Sequence, residues 1–283
     1  PIWNLPLKHP VNLAYEAATA DLNDVNMIDP FHLEAYGETT VNYNRDVEIF
    51  PVLNTIFEKI YGESPYKSPT DMGVNMAGNC ICDDEACREA SKQEIIRRYY
   101  AALNALAKGE TSDKEAHKIE LLMNMAGITV ADRKVAVEAL KRAKETGGPA
   151  AALELDDGRI ITGKTTNLLG ASAALLLNVL KVLAGIEHER HIISPQSIEP
   201  IQKLKVDYLK SKNPRLHTDE VLIALSASAA DSTEARLALS QLPKLNGCQA
   251  HTSVMLSDVD IKIFKKLGVQ LTCEAVYEHI FLS

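Results

Sequence analysis

Residues 29–46 carry the densest group of side chains able to do chemistry in this sequence. The segment reads DPFHLEAYGETTVNYNRD, and the side chains of interest are those of Asp29, His32, Glu34, Asn44, Arg45 and Asp46. Imidazole changes charge near neutral pH, and neighbouring carboxylates and a guanidinium can tune its pKa, so His32 is a candidate acid or base. We predict a catalytic role for His32, Arg45 and Asp46, and substrate binding for the other three. The alternative is that His32 is structural, as lone histidines more often are.

A second polar segment, residues 63–79, reads ESPYKSPTDMGVNMAGN and can hydrogen-bond an anion or a hydroxyl group. Its predicted substrate-binding residues are Lys67, Thr70, Asp71 and Asn75. Arg45 and Lys67 are expected to hold an anionic group. The aspartates of both segments are expected to hold magnesium or substrate hydroxyls. The alternative is an ordinary connecting loop with its lysine in solvent.

Two apolar-rich segments, Pro10 to Ala20 and Val47 to Tyr61, flank the first polar segment and are expected to position it. The second of them has the apolar spacing of a helix and should end at Gly62. A polar stretch between two such segments either faces solvent or surrounds a ligand. We predict that the two polar segments converge on one pocket.

Three amphipathic helices are predicted between residues 83 and 146, because apolar residues recur at helical spacing and glycines punctuate the pattern. Their predicted limits are Asp83 or Asp84 to Gly109, Ser112 to Gly127, and Thr129 to Gly147, with Ser112 and Glu115 as a capping box. Short loops predict that the three pack together as a scaffold or an interface. Composition changes at Gly147, so we predict a mainly helical region at 1–146 and an α/β domain at 147–283.

The second half has the pattern of an α/β domain. Residues 150–164, AAALELDDGRIITGK, predict a hairpin turning at Asp157-Gly158, and residues 170–185 predict a buried helix. Further strands are predicted at 191–194, 221–227, 250–256 and 271–277, alternating with helices at 198–209, 233–242 and 259–267. Such alternation is typical of a mixed, mostly parallel sheet covered on both faces.

This order resembles the cytidine-deaminase-like fold over residues 149–256. A zinc deaminase needs a His or Cys two residues before a catalytic Glu, and later a Pro-Cys-x-x-Cys pair. Here the buried helix opens LLGASAALLL, and Ser194-Pro195 is followed by Gln196, Ser197 and Ile198. The zinc ligands of that fold are therefore missing, and the resemblance implies a domain that binds or supports.

Composition bounds the class of protein. A net charge of −8 argues against a nucleic-acid partner, and no apolar run reaches the length of about 20 residues that spans a bilayer. The chain opens PIWNLPLKHP, without a signal peptide and without Met, which indicates a fragment or a processed chain. We predict a cytoplasmic protein with neither nucleic-acid nor membrane partners.

The five cysteines are an odd number and do not make a disulfide framework, which also favours the reducing cytoplasm. Cys80, Cys82 and Cys87 lie close together, but structural zinc favours two ligand pairs, so no metal site is predicted. A reactive thiol at the helix start is the alternative. Cys248 and Cys273 are expected to be small buried side chains.

Four segments resemble an uncharacterised bacterial family, domain of unknown function 1846. They begin at Pro1, Ser64, Glu89 and Lys212, and the last reads KNPRLHTDEVLIALS. Members are longer, with an N-terminal Gly-Ser-Gly-Lys stretch like a phosphate-binding loop. The resemblance implies that this chain is the C-terminal portion of such a protein and lacks that N-terminal region. It does not fix the cofactor, but implies ATP with Mg²⁺ in the full-length protein.

Together these features predict the C-terminal portion of a nucleotide-dependent enzyme that acts on a small polar molecule. The sequence does not establish an enzyme by itself. The alternative is a non-catalytic protein that binds a small ligand or associates with itself as a homo-oligomer, built on a degenerate deaminase-like domain.

Overall fold

The computed structural model describes residues 55–64 and 84–278 of the chain. Residues 55–61 are helical, and the Gly62 N–H donates to the carbonyl oxygen of Glu58 at 2.9 Å. The predicted helix end at Gly62 is confirmed. The chain divides into two compact units, Pro1–Asp132 and Arg133–Ser283. Within the described ranges, no helix combines the length and the apolar character needed to cross a bilayer.

Besides the helical residues 55–61, the described part of the first unit contains a pair of packed helices, α1 (Asp84–Ala107) and α2 (Asp113–Ala126). Buried side chains on these two helices include those of Ile95, Ile96, Tyr100, Ile119 and Met123. Both helices lie where the sequence predicts them. The capping box, however, is wrong, because the Ser112 side chain makes no capping hydrogen bond. The carboxylates of Asp113 and Glu115 lie in the first turn instead, where they complement the helix dipole.

The third predicted helix starts later than Thr129. Both the N–H and the hydroxyl of Thr129 donate to Asp132 Oδ2, at 2.7 and 3.0 Å, beside a short 3₁₀ turn, Val130–Asp132. The helix itself, α3, spans Lys134–Thr146 and packs on the sheet of the second unit. Its apolar side chains are therefore part of the core of the α/β unit.

The described sheet has four strands in the order β2-β1-β3-β4. Their bounds are Ala150–Glu154, Ile160–Lys164, Gln249–Thr252 and Gln270–Cys273 for β1 to β4. The predicted β1–β2 hairpin is confirmed, with Gly158 at φ +80° in its turn. The α/β class and the mixed sheet are also confirmed. The prediction of mostly parallel pairing is wrong for these strands, because β1 lies inside the sheet and runs antiparallel to both neighbours; only β3 and β4 are parallel.

Helices cover both faces of this sheet, as predicted. On one face Ala152 packs with Val135 and Ala139 of α3. On the other, Leu153 joins the main core with α4 (Ala171–Ala184), whose buried side chains run nearly all round the helix. The remaining α-helices of the described part of the second unit are α5 (Pro195–Lys203), α6 (Thr218–Ser228), α7 (Thr233–Leu239) and α8 (Asp258–Lys266).

Two predicted strands are wrong. Residues 221–227 lie within α6, where Val221, Ala224 and Leu225 are buried at helical spacing while Ile223 is 65% exposed. Residues 191–194 form no strand. Ile192 and Ile193 are buried there, but the segment leads into α5, whose N-cap is Ser194 and whose first residue is Pro195. Proline fits the first turn of a helix because its missing N–H would have no partner there.

Candidate acid–base site at His217 and Asp260

The site predicted from sequence lies outside the described residues, so every one of its assignments stays a prediction. The ten residues are Asp29, His32, Glu34, Asn44, Arg45, Asp46, Lys67, Thr70, Asp71 and Asn75. Cys80 and Cys82 also lie outside the described residues. The candidate acid–base site among the described residues lies in the second unit.

His217 and Asp260 form a hydrogen-bonded pair between two helix N-termini. His217 immediately precedes α6, and Asp260 lies in the first turn of α8. The imidazole Nδ1 is 2.9 Å from Asp260 Oδ2. The backbone on the other side of the histidine is also fixed, because Leu216 exchanges hydrogen bonds with the loop before α4 through Leu168 O and Gly170 N. The ring is thus held by its side chain and by its own backbone.

The Asp260 carboxylate is almost fully buried and fully hydrogen-bonded. Oδ1 accepts from the N–H and the hydroxyl of Thr218, at 2.9 and 2.8 Å, and Oδ2 also accepts from the Ser257 hydroxyl at 2.7 Å. Burial alone would raise the pKa of this carboxyl. Hydrogen bonds from His217, Thr218 and Ser257 outweigh burial and lower its pKa to about 2. Asp260 is therefore an anion at any physiological pH.

The His217 side chain is 32% exposed, and Asp260 determines which ring nitrogen remains free. An anionic carboxylate can only accept, so Nδ1 carries the proton and Nε2 presents a lone pair in the neutral ring. Among the described residues, Nε2 has no hydrogen-bond partner in the protein. The hydrogen bond to Asp260 raises the pKa of His217, and burial opposes that rise.

This arrangement can take up and release a proton at Nε2 of His217. A buried carboxylate that fixes the imidazole tautomer and stabilises the imidazolium is how an acid–base histidine is commonly oriented. The same contacts have a structural consequence, since Asp260 satisfies the first N–H of α6. The pair therefore stabilises the junction of α6 and α8 and presents a reactive ring nitrogen.

A second buried cluster surrounds Arg133 but has no exposed ring. Arg133 Nε donates to Thr272 Oγ1 at 2.8 Å, and the same hydroxyl lies 2.8 Å from His251 Nδ1. His251 Nε2 is 3.3 Å from Glu274 Oε1. Burial lowers the pKa of His251, and Glu274 opposes that effect. Because Arg133 and His251 are fully buried, we interpret this cluster as structural.

Cys248 and Cys273 are buried, as predicted. Burial raises the pKa of the Cys248 thiol to about 11, so this sulfur is protonated and unreactive at neutral pH. Within the described part of the chain, no group of three or more His, Cys, Asp or Glu side chains is placed to hold a metal ion.

One stretch of the second unit matches the sequence pattern of a phosphate-binding loop, Gly-x₄-Gly-Lys-Thr. It is residues 158–165, GRIITGKT. Such a loop needs backbone N–H groups that curl around the anion just before a helix. Here the stretch forms the hairpin turn and β2, with Gly163 opposite Ala151 and Lys164 opposite Ala150 in β1. A paired strand does not fit a nucleotide phosphate.

Two family models match nearly the whole chain. Residues 1–127 match "Domain of unknown function DUF1846, N-terminal", and residues 131–282 match "Domain of unknown function DUF1846, C-terminal". The chain belongs to this family. The predicted family membership is confirmed, but the prediction that the N-terminal part of the family is absent is wrong, because its model matches residues 1–127.

The curated relatives of the DUF1846 chain include proteins called only "UPF0371 protein". One from Corynebacterium urealyticum is 61% identical over 277 residues, which cover 98% of this chain and 56% of the relative. One from Streptococcus thermophilus is 57% identical over 279 residues, which cover 99% of this chain and 56% of the relative. The chain therefore spans a little over half the length of these relatives. Their names state no activity.

Sequence reasoning missed the His217–Asp260 pair. Interpreting residues 221–227 as a strand hid the helix start at Thr218. A signal was present, because Thr-Asp-Glu directly after His217 is typical of a first helical turn, and Ser257 precedes Asp260 by three residues in the same way. Both residues could have been recognised as lying at helix N-termini. Their 2.9 Å contact across 43 positions could not.

The low pKa of Asp260 predicts an acid-sensitive contribution to stability. Between about pH 4 and pH 2 the unfolded chain binds a proton at this carboxyl and the native protein does not. The contribution is therefore complete above pH 4 and is lost as the pH falls through 2, by about 2 kcal/mol. We expect the difference in free energy of unfolding between wild type and Asp260→Asn to shrink by that amount over this range, measured by urea denaturation.

The matched control is Asp258→Asn, which removes an exposed carboxylate from the same helix. Its difference from wild type should not follow the Asp260→Asn profile. A constant difference between wild type and Asp260→Asn from pH 5 to pH 2 would contradict the described hydrogen bonds.

Proposed function

We propose that this chain is part of an enzyme that moves a proton on a small polar substrate, with His217 as acid or base and Asp260 as its orienting carboxylate. The observation that supports this most directly is the buried Asp260 carboxylate on Nδ1 of a partly exposed imidazole whose Nε2 has no protein partner among the described residues. Neutral His217 would accept a proton at Nε2, and its imidazolium would return one.

The residues predicted from the first unit belong to the same proposal as separate candidates. His32, Arg45 and Asp46 are proposed as catalytic, and the polar side chains of residues 29–44 and 67–75 as substrate contacts. Small hydroxyl-bearing or anionic molecules suit such a set, because amide, carboxylate and cationic groups recognise them by directed hydrogen bonds.

A requirement for ATP and Mg²⁺ is proposed only for the full-length protein, because the chain spans 56% of a typical relative. The stretch GRIITGKT at 158–165 does not fit a phosphate, since it is the paired strand β2. No step of the proton transfer is assigned to the nucleotide.

The test uses full-length protein that contains this chain. It is incubated with a bacterial metabolite extract, with and without ATP and Mg²⁺, and consumption of each metabolite is followed by mass spectrometry. We expect consumption by wild type and a loss of about 10²-fold or more for His217→Gln, which is typical of removing a general acid or base. His191→Gln is the control, since His191 is an exposed histidine of the same unit.

The outcomes separate the candidates. Equal consumption by wild type and His217→Gln would exclude His217, and a loss in His32→Ala or Arg45→Ala would then assign the chemistry to the first polar segment. No consumption by wild type under any condition would favour the alternative, a non-catalytic ligand-binding or self-associating protein. That alternative rests on the resemblance of the sequence to a deaminase-like domain without its zinc ligands. Of the element order behind that resemblance, the hairpin and the buried α4 are present, and the strands expected at 191–194 and 221–227 are not.

A further inference from the structure

Lys205 is a buried cation beside the His217 loop. Its side chain is 8% exposed, and Nζ donates to Glu220 Oε2 at 2.8 Å and to the carbonyl oxygen of Arg215 at 2.6 Å. A buried ammonium group must be paired and hydrogen-bonded to be tolerated, and these two acceptors meet that requirement. Lys205 therefore holds a fixed position inside the unit.

The two acceptors of Lys205 belong to Arg215, two residues before His217, and to Glu220, three residues after it. Arg215 O is bound directly. Glu220 Oε2, the second acceptor, also accepts from the backbone N–H of His217 at 2.8 Å. One ammonium group and one carboxylate oxygen thus connect the backbone at positions 215 and 217. This pairing fixes the segment from which the imidazole projects.

The backbone that carries Lys205 is itself irregular. Residues Leu204–Tyr208 form a π-helical turn after α5, and the Leu209 N–H bonds to Leu204 O, five residues back, at 3.0 Å. Lys210, which follows, is the one non-glycine residue with positive φ among the described residues, at +57°. Such conformations cost free energy and persist where the surroundings impose them, and π-helical turns are frequent at functional sites.

We propose that Lys205 is a positioning residue for His217, placed by the π-helical turn so that its ammonium group clamps Arg215 O and the Glu220 carboxylate and thereby aims the imidazole for proton transfer. This inference rests on the proposed acid–base function of His217. It adds a residue that does not touch the substrate and acts through the histidine.

The charges around the imidazole ring mean that changes at Lys205 or Glu220 should alter the pKa of His217 in a measurable way. Asp260 and Glu220 favour the imidazolium, and Lys205 disfavours it. Removing Lys205 deletes a cation and leaves the Glu220 carboxylate uncompensated, and both effects raise the pKa of His217. Removing the charge of Glu220 does the opposite, because it deletes an anion and leaves the ammonium group unpaired near the ring.

The experiment is an NMR titration of the His217 ring protons in the full-length protein. We expect Lys205→Met to raise the pKa of His217 by at least about 0.5 unit, and Glu220→Gln to lower it by a similar amount. Lys205→Arg should restore a value close to that of wild type, because it keeps the cation. Lys203→Met is the control, since Lys203 is an exposed lysine on the same segment.

Opposite shifts in Lys205→Met and Glu220→Gln support the clamp; shifts in one direction, or none, would overturn it. If one variant fails to fold, the sign of the shift in the other decides. The titration does not depend on turnover, so its failure is distinct from the failure of the proposed function, which is detected as equal metabolite consumption by wild type and His217→Gln. If turnover is found, the pH profile of kcat/KM should shift with the pKa of His217 in each variant.

Discussion

Gly163→Ala should destabilise the second unit by about 3 kcal/mol or more, at the upper end of what overpacking costs. A Cβ atom at this position would lie 2.2 Å from Leu175 N, 2.5 Å from Leu175 Cα and 2.9 Å from Ala171 O. All three are backbone atoms of α4, so no side-chain rotation can relieve the clash. Either β2 or the helix must shift, and both are part of the main core.

The measurement is the free energy of unfolding from urea denaturation, followed by far-UV circular dichroism. Gly148→Ala is the matched control, because a Cβ there meets nothing within 4 Å. That change should stay within about 1 kcal/mol of wild type. Equal stabilities for the two variants would mean that α4 does not approach β2 as closely as described.

Arg133→Met should cost about 3–5 kcal/mol, because it leaves several buried acceptors without their donor. The Arg133 side chain is fully buried, and methionine keeps an apolar stem of similar length but lacks the guanidinium group. Its four described acceptors are Thr272 Oγ1, Gln249 Oε1, Ala250 O and Gln270 O, at 2.7–2.8 Å. They belong to β3 and β4, so the parallel pair of the sheet should be affected first.

Arg190→Met controls for the loss of an arginine at the surface. Its side chain is 61% exposed and pairs with Glu234, which is 40% exposed, so the change should cost less than about 1 kcal/mol. Hydrogen exchange adds a local readout, and amide protection in β3 and β4 should fall in Arg133→Met alone. If Arg133→Met were as stable as Arg190→Met, the buried hydrogen bonds would contribute little.

Local signals in the sequence predicted much of the secondary structure. Asp157-Gly158 predicted the hairpin because glycine adopts the positive φ that its turn requires. The ends of α1 and α2 were predicted from glycines, and the buried α4 from apolar residues all round the helix. Each of these features depends on residues a few positions apart, so the linear pattern contains the physical cause.

Features that depend on distant partners were predicted less well. The pattern VLIALSA at 221–227 fits the spacing of a strand and of a helix equally well. Only packing of its apolar side chains against the main core makes the segment part of the helix α6. The direction of β1 was missed for a related reason. Strand order is set by pairing between segments about 100 residues apart, such as Ala151 with Thr252, and nothing in β1 itself specifies that partner.

The described candidate site is a property of the tertiary structure. Local signals of capping and periodicity predicted the helix that follows Ser257. They missed the helix start after His217, and they placed the start of α3 at Thr129 instead of after Arg133. Only the fold decided that the carboxylate meeting His217 is Asp260 and that the hydroxyl meeting Arg133 is Thr272, 139 positions away. A buried polar group must find a partner wherever packing places one, and packing is settled by the whole core rather than by neighbours in the chain.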